Sequence, residues 1–155
     1  MERAVKRLFM IISSLSFITI VGTASAHAQI TTALVADIPF DFTVGKVSLP
    51  AGKYTIKPLG SPAGDGVMEV VSEDGSTAKL FLTEHAQLAQ PPNEGELIFH
   101  HVGDHYFLYE MFDPGDTAGV MLPKPREERK MEEESRLTNA PVTTVRAVTR
   151  VEARN

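Results

Sequence analysis

The stretch LIFHHVGDHYFLYEMF, Leu97 to Phe112, decides the fold class. Two runs rich in aromatic and branched residues, Leu97 to Val102 and His105 to Phe112, flank Gly103-Asp104. Glycine at the first place of a two-residue loop suits a type II′ hairpin turn. That loop pairs Val102 with His105, His101 with Tyr106 and His100 with Phe107. Both faces of the hairpin are apolar, so it is expected in mid-sheet with cover on both sides.

Upstream, across a loop at Gln90 to Gly95, a second hairpin is expected from Val67 to Ser72 and Ser76 to Thr83, flanking Glu73-Asp74-Gly75. A three-residue loop wants a left-handed residue at its third place, which Gly75 supplies without steric cost. The expected register sets Val70 opposite Ala78, Met68 opposite Leu80 and Glu69 opposite Lys79. Met68, Val70, Ala78, Leu80 and Leu82 then form the buried face, with Glu69 and Lys79 outward. A two-residue loop at Asp74-Gly75 would instead put Glu69 on one face with Leu80 and Leu82, which alternation disfavours.

Further upstream, Ile38, Phe40, Phe42 and Val44 alternate with Pro39, Asp41, Thr43 and Gly45, the period of a half-buried strand. Pro39 lacks a ladder donor, so this strand is expected at an edge or with Pro39 near its start. Leu49-Pro50-Ala51-Gly52 reads as a type I turn into Lys53 to Lys57, where Tyr54 and Ile56 share a face. Pro58 to Gly66 reads as loop.

Downstream, Asp113-Pro114-Gly115-Asp116 turns the chain into a short strand, Thr117 to Leu122. Residues 124–137 are nearly all charged and read as a solvated surface helix, with Pro125 in its first turn and pairing among Arg129, Glu132, Glu133 and Arg136. Residues 138–155, with valines at a spacing of three and no large apolar side chain, read as a mobile tail.

At the other terminus, Arg3, Lys6 and Arg7 precede an apolar stretch, Leu8 to Val21, and two overlapping Ala-x-Ala patterns ending at Ala28. This is the pattern of a secretory signal peptide cut between Ala28 and Gln29, with a cut after Ala26 as the alternative, in a stretch too short for a membrane anchor. The expected division is a signal peptide at 1–28, a β-domain at 29–123, a helix at 124–137 and a tail at 138–155. The fold class is all-β, mainly antiparallel, a sandwich or barrel of about seven strands. Removing three of the 15 basic and one of the 20 acidic residues with the leader leaves 12 and 19, a formal charge of −7. That balance argues against nucleic acid and anionic membranes as partners. With no cysteine, stability must come from the core rather than from disulfides.

Catalytic signatures are missing from the sequence: no Gly-x-Ser-x-Gly elbow, no phosphate-cradling glycine loop, no Ca²⁺ loop. The residual cluster is histidine-rich. In the hairpin register His100 and His105 lie diagonally on one face, as candidate ligands of a weak surface metal site or as a stacking patch with Tyr106 and Tyr109, while His101 points to the other face. The expectation is that no metal and no cofactor is bound.

Two stretches, IPFDFTVGKVSLPAGKYTI from Ile38 to Ile56 and IFHHVGDHYFLYEMFDPGDTAGVMLPKPREER from Ile98 to Arg129, together with the leader, resemble a family of small exported β-rich proteins common in acidobacteria and related soil bacteria. The resemblance implies a secreted β-protein and carries no active site, cofactor or partner. The expected function is an exported non-catalytic β-domain, periplasmic or extracellular, with a binding or structural role and a protein or cell-envelope partner. The alternatives are weak metal binding through the hairpin histidines, and an enzyme whose groups converge only in the fold.

Overall fold

A computed structural model describes residues 33–59 and 66–151. The expected leader, with its Ala28/Gln29 junction, lies outside the described residues. Eleven strands and one helix follow in order: β1 Leu34–Ile38, β2 Phe42–Val44, β3 Val47–Leu49, β4 Gly52–Pro58, β5 Val67–Ser72, β6 Ala78–Leu82, β7 Glu84–Gln87, β8 Gly95–Val102, β9 His105–Phe112, β10 Ala118–Met121, then the helix α1 Arg126–Leu137 and β11 Val142–Val151. The strands join in one sheet ordered β3-β2-β9-β8-β11-β1-β4-β5-β6, with β10 pairing β9 and β7 pairing β10. The sheet curls into a nearly closed barrel, so the all-β expectation holds with more and shorter strands than the seven expected. All pairings are antiparallel except β2 on β9.

The β8–β9 hairpin takes the expected register, Val102 opposite His105 and His100 opposite Phe107. Gly103 has φ +62°, as the first place of a type II′ turn requires. The ladder shifts between Ile98 and Phe99, which leaves Tyr109 as an extra residue of β9. The bulge re-aims the strand, so Leu108 and Met111 both reach the barrel core. Ile98 and Phe112 meet Ala86 on the outer side, in a smaller cluster flanked by Leu88 and Met121. Mid-sheet placement with cover on both faces is what this hairpin has.

Pro39 divides the expected Ile38–Val44 strand in two. The chain leaves β1 at Ile38 and re-enters the sheet as β2 at Phe42, on the far side of the barrel. The inward alternation survives the break, with Ile38, Phe42 and Val44 buried and Phe40 packed against the same core. Phe42 meets Tyr54 edge-on at 5.2 Å and Phe99 at 5.7 Å, and Phe40 meets Phe99 at 5.2 Å. Each such pair is worth about 0.5–1.5 kcal/mol beyond its burial. These contacts tie the two halves of the barrel through its interior.

Two expectations are corrected by the strand ladders. In the β5–β6 hairpin Met68 lies opposite Phe81, Glu69 opposite Leu80 and Val70 opposite Lys79, one residue from the expected register. Gly75 does take the left-handed conformation, but the loop holds four residues, Glu73 to Ser76. Ser72 donates its N–H to Thr77 O, and Gly75 N–H donates to Ser72 O. The Asp74 carboxylate accepts from Ser72 Oγ at 2.6 Å, Ser76 Oγ at 2.8 Å and Ser76 N–H at 3.0 Å, which holds it below the ordinary carboxylate range. This bonding fixes the longer loop, and one residue of slip turns every β6 side chain over. Phe81 is buried, while Leu80 and Leu82 are 58% and 66% exposed.

The second correction concerns the expected mobile tail. Val142–Val151 is a ten-residue strand paired with β8 over eight residues and with β1 at its end. Its inward positions are Val145, Ala147 and Thr149. The fit is tight at its end, where Thr149 lies opposite Gly95 and a methyl group on Gly95 would run into Thr149 Oγ1.

The observed register predicts opposite outcomes for neighbours on β6. Phe81→Ala should cost about 3–5 kcal/mol in chemical denaturation, the range for a buried aromatic. Leu80→Ala should cost about 1 kcal/mol or less, as exposed substitutions do. Equal losses would restore the three-residue loop.

Candidate functional site

The helix α1 is not the free-standing surface element its composition suggests. Only Met131 and Leu137 are large and apolar, and Leu137 is exposed. What docks it is an acid: Glu128 is 1% exposed, against the outer side of β8. Its Oε1 lies 2.6 Å from His100 Nδ1 and 4.0 Å from Lys124 Nζ. Lys124 in turn reaches Glu132 Oε1 at 2.6 Å. The expected pairing of Glu132 with Arg129 or Arg136 is thus replaced by one to Lys124, just ahead of the helix. His100 stacks on Tyr109 with ring centroids 3.9 Å apart, and Lys124 Nζ lies 5.8 Å from the same ring. Glu127 and Glu128 in the first helical turn also suit the positive end of the helix dipole.

This arrangement separates the candidate histidines. His100 belongs to the helix cluster, whereas His105 is exposed and its ring neighbour is Phe107 at 6.3 Å. His101 stacks on Tyr106 at 4.2 Å and meets Thr143 Oγ1 at 3.3 Å. The ligand types that converge are His100, Glu128 and Glu132, one atom of each within 4.8 Å of the others. They combine imidazole and carboxylate as a divalent-metal site would. Lys124, however, already supplies the cation between the two carboxylates, and His100 Nδ1 is engaged with Glu128. An ion would have to displace both contacts. The arrangement is that of an ionic clamp fastening the helix to the sheet.

Helix pairing partners far along the chain could not be read from the hairpin alone. The available signal was a run of acids with one lysine, Lys124, set just before it. Glu110, next to this cluster on β9, has its carboxyl pushed above the ordinary value by burial, partly offset by the positive charges of His100 and Arg146.

A groove of about 510 Å³ opens on the other side of the helix start, within the ~300–1,000 Å³ range of small-ligand sites. Its walls come from Val44 to Val47 at the β2–β3 turn, Leu80 to Leu82 of β6, and Leu122 to Arg126 with Arg129. Consecutive residues of a strand point to opposite faces, so a groove touching Leu80, Phe81 and Leu82 alike runs along the edge of β6. Among the described residues that edge is free: β6 pairs with β5 alone, and β3, at the other end of the sheet, with β2 alone. The groove therefore marks the seam where the barrel fails to close. It is apolar along its length and rimmed by Lys46, Arg126 and Arg129, which form no ion pair among the described residues.

Two measurements check the clamp. His100→Ala strands the buried Glu128 carboxylate and should lower stability by about 3 kcal/mol, the range for breaking a buried pair. Adding Glu128→Gln should recover part of that loss, which a merely steric role for His100 would not allow. Glu110→Gln should raise the melting temperature at pH 7, because the folded protein disfavours the ionised acid. The gain should fade as pH falls toward 4.5 and be absent below it, where the side chain is protonated folded or unfolded alike.

Comparison of the chain with protein-family models, curated proteins and solved structures finds no match. Its reading rests on the clamp and the groove.

Proposed function

We propose that the chain is an exported, non-catalytic binding domain whose ligand seats in the groove at the barrel seam. The observation that carries this reading is the pair of exposed leucines, Leu80 and Leu82, on a sheet edge that pairs with no strand, beside three cations that form no ion pair, among the described residues. Natural sheets usually blunt such an edge with charge, proline or a covering element, and a site kept open at that cost to solubility is best explained by something that fills it. Export is supported by the leader pattern and by the resemblance to small exported β-proteins. A non-catalytic role is supported by the sequence's lack of a nucleophile motif and by a clamp whose acids are already matched.

An apolar anion reports on such a groove. Anilinonaphthalene sulfonate should bind the folded protein with one-to-one stoichiometry, and Leu82→Glu should abolish binding without lowering the melting temperature. Dye binding that survives Leu82→Glu would place the apolar surface elsewhere and remove the basis for the groove as the site. N-terminal sequencing of exported material should begin at Gln29 or His27; recovery of an intact Met1 in the membrane fraction would replace export and cleavage with anchoring.

A further inference from the structure

We infer that the groove takes an extended peptide segment of alternating apolar and acidic residues, which adds to β6 as a further strand and closes the barrel seam. The inference rests on the groove being the binding site and specifies what fills it.

Three observations converge on that occupant. The first is the ladder. Ser72 bonds Thr77 and Thr83 bonds Gly66 across the β5–β6 pair, so bonded pairs alternate through Phe81 and Lys79. The N–H and C=O groups of Leu80 and Leu82 then point away from β5, toward the groove. An acyl chain or a flat apolar ligand would leave these groups without partners, whereas an extended backbone satisfies them. The second is the pair of leucine side chains, which stand on the outer face of the same edge and offer contact to every other residue of an added strand. The third is charge. In a chain of net charge −5, the groove rim carries Lys46, Arg126 and Arg129 without ion pairs among the described residues. A second copy of this chain docked edge to edge would set these cations against their own counterparts. An acidic strand places opposite charge there and gains both affinity and orientation.

The test uses the full-length gene product, purified as the cell makes it, with blocked eight-residue peptides as probes. One alternates valine with glutamate, a second alternates valine with lysine, and a third repeats the glutamate peptide with N-methyl groups on alternate residues. The glutamate peptide should bind, displace anilinonaphthalene sulfonate, and exceed the lysine peptide by about tenfold or more. N-methylation along one edge should weaken it by about tenfold, since it removes ladder donors without changing charge. Arg126→Glu with Arg129→Glu should reverse the preference between the two charged peptides, and Leu137→Glu, on the exposed end of the helix, should change nothing. Equal binding of the methylated and unmethylated peptides would overturn strand addition. So would a dimer in light scattering that dissociates with Leu80→Glu, which makes the occupant a second copy, or displacement of the dye by oleate but not by any peptide, which makes it an acyl chain. If the dye binds and no peptide competes, the strand inference fails while the groove stands. If the dye does not bind either, the groove reading itself fails.

Discussion

Eight consecutive residue pairs between β11 and β8, from Val142 opposite Val102 to Thr149 opposite Gly95, hold this protein together. On its other side β11 pairs with β1, through Leu34 and Val35. Remove that strand and the sheet falls into two pieces, β3-β2-β9-β8 and β1-β4-β5-β6. Joined, their inner faces enclose one core running from Leu34 through Phe42 and Phe99 to Leu122. The size of β11's side chains follows from that position. With Phe42, Phe99 and Met111 filling the interior, the joining strand can offer little more than Val145, Ala147 and Thr149.

The clamp on the outer side depends on the same junction. Helix α1 sits between β10 and β11, so it is carried against β8 by the connection that delivers the last strand. A helix with so few apolar residues gains little from hydrophobic burial. Its attachment comes from Glu128, whose buried carboxylate is hydrogen-bonded to His100 and backed by the Lys124 ammonium. Buried pairs of this kind fix geometry more than they add stability, because much of the Coulombic gain offsets desolvation. The geometry fixed here sets Lys124, Arg126 and Arg129 beside the open seam.

Local signals were legible in the sequence and distant ones were not. The β8–β9 register followed from Gly103-Asp104 alone, and Gly75 marked its turn correctly. The neighbouring register failed because the loop length was set by Ser72, Asp74 and Ser76, whose side-chain bonds add a residue that turn-type reasoning omits. Hydrophobicity alone also predicts that Leu80 and Leu82 face inward, and on this edge strand they face out. The strand Val142–Val151 is illegible for the opposite reason, since a strand that fits a crowded interior needs small residues and so lacks a hydrophobic signature. Of the candidate site, His100 was visible and its acid partners were not, as they lie 28 and 32 positions further along on a helix whose docking face is polar.

The adjacency of β1 and β11 bears on when the protein can fold. Neither strand has its full set of neighbours until both ends of the domain have been synthesised, and the sequence between them spans nearly the whole barrel. Contacts of such long separation form late and slowly. A partly emerged chain can pair hairpins such as β8–β9 but cannot close the interior, so it lacks the cooperative core that would commit it to a folded state. Under the proposed export, delay of this kind would keep the polypeptide threadable, with the compact barrel forming only when its last strand arrives.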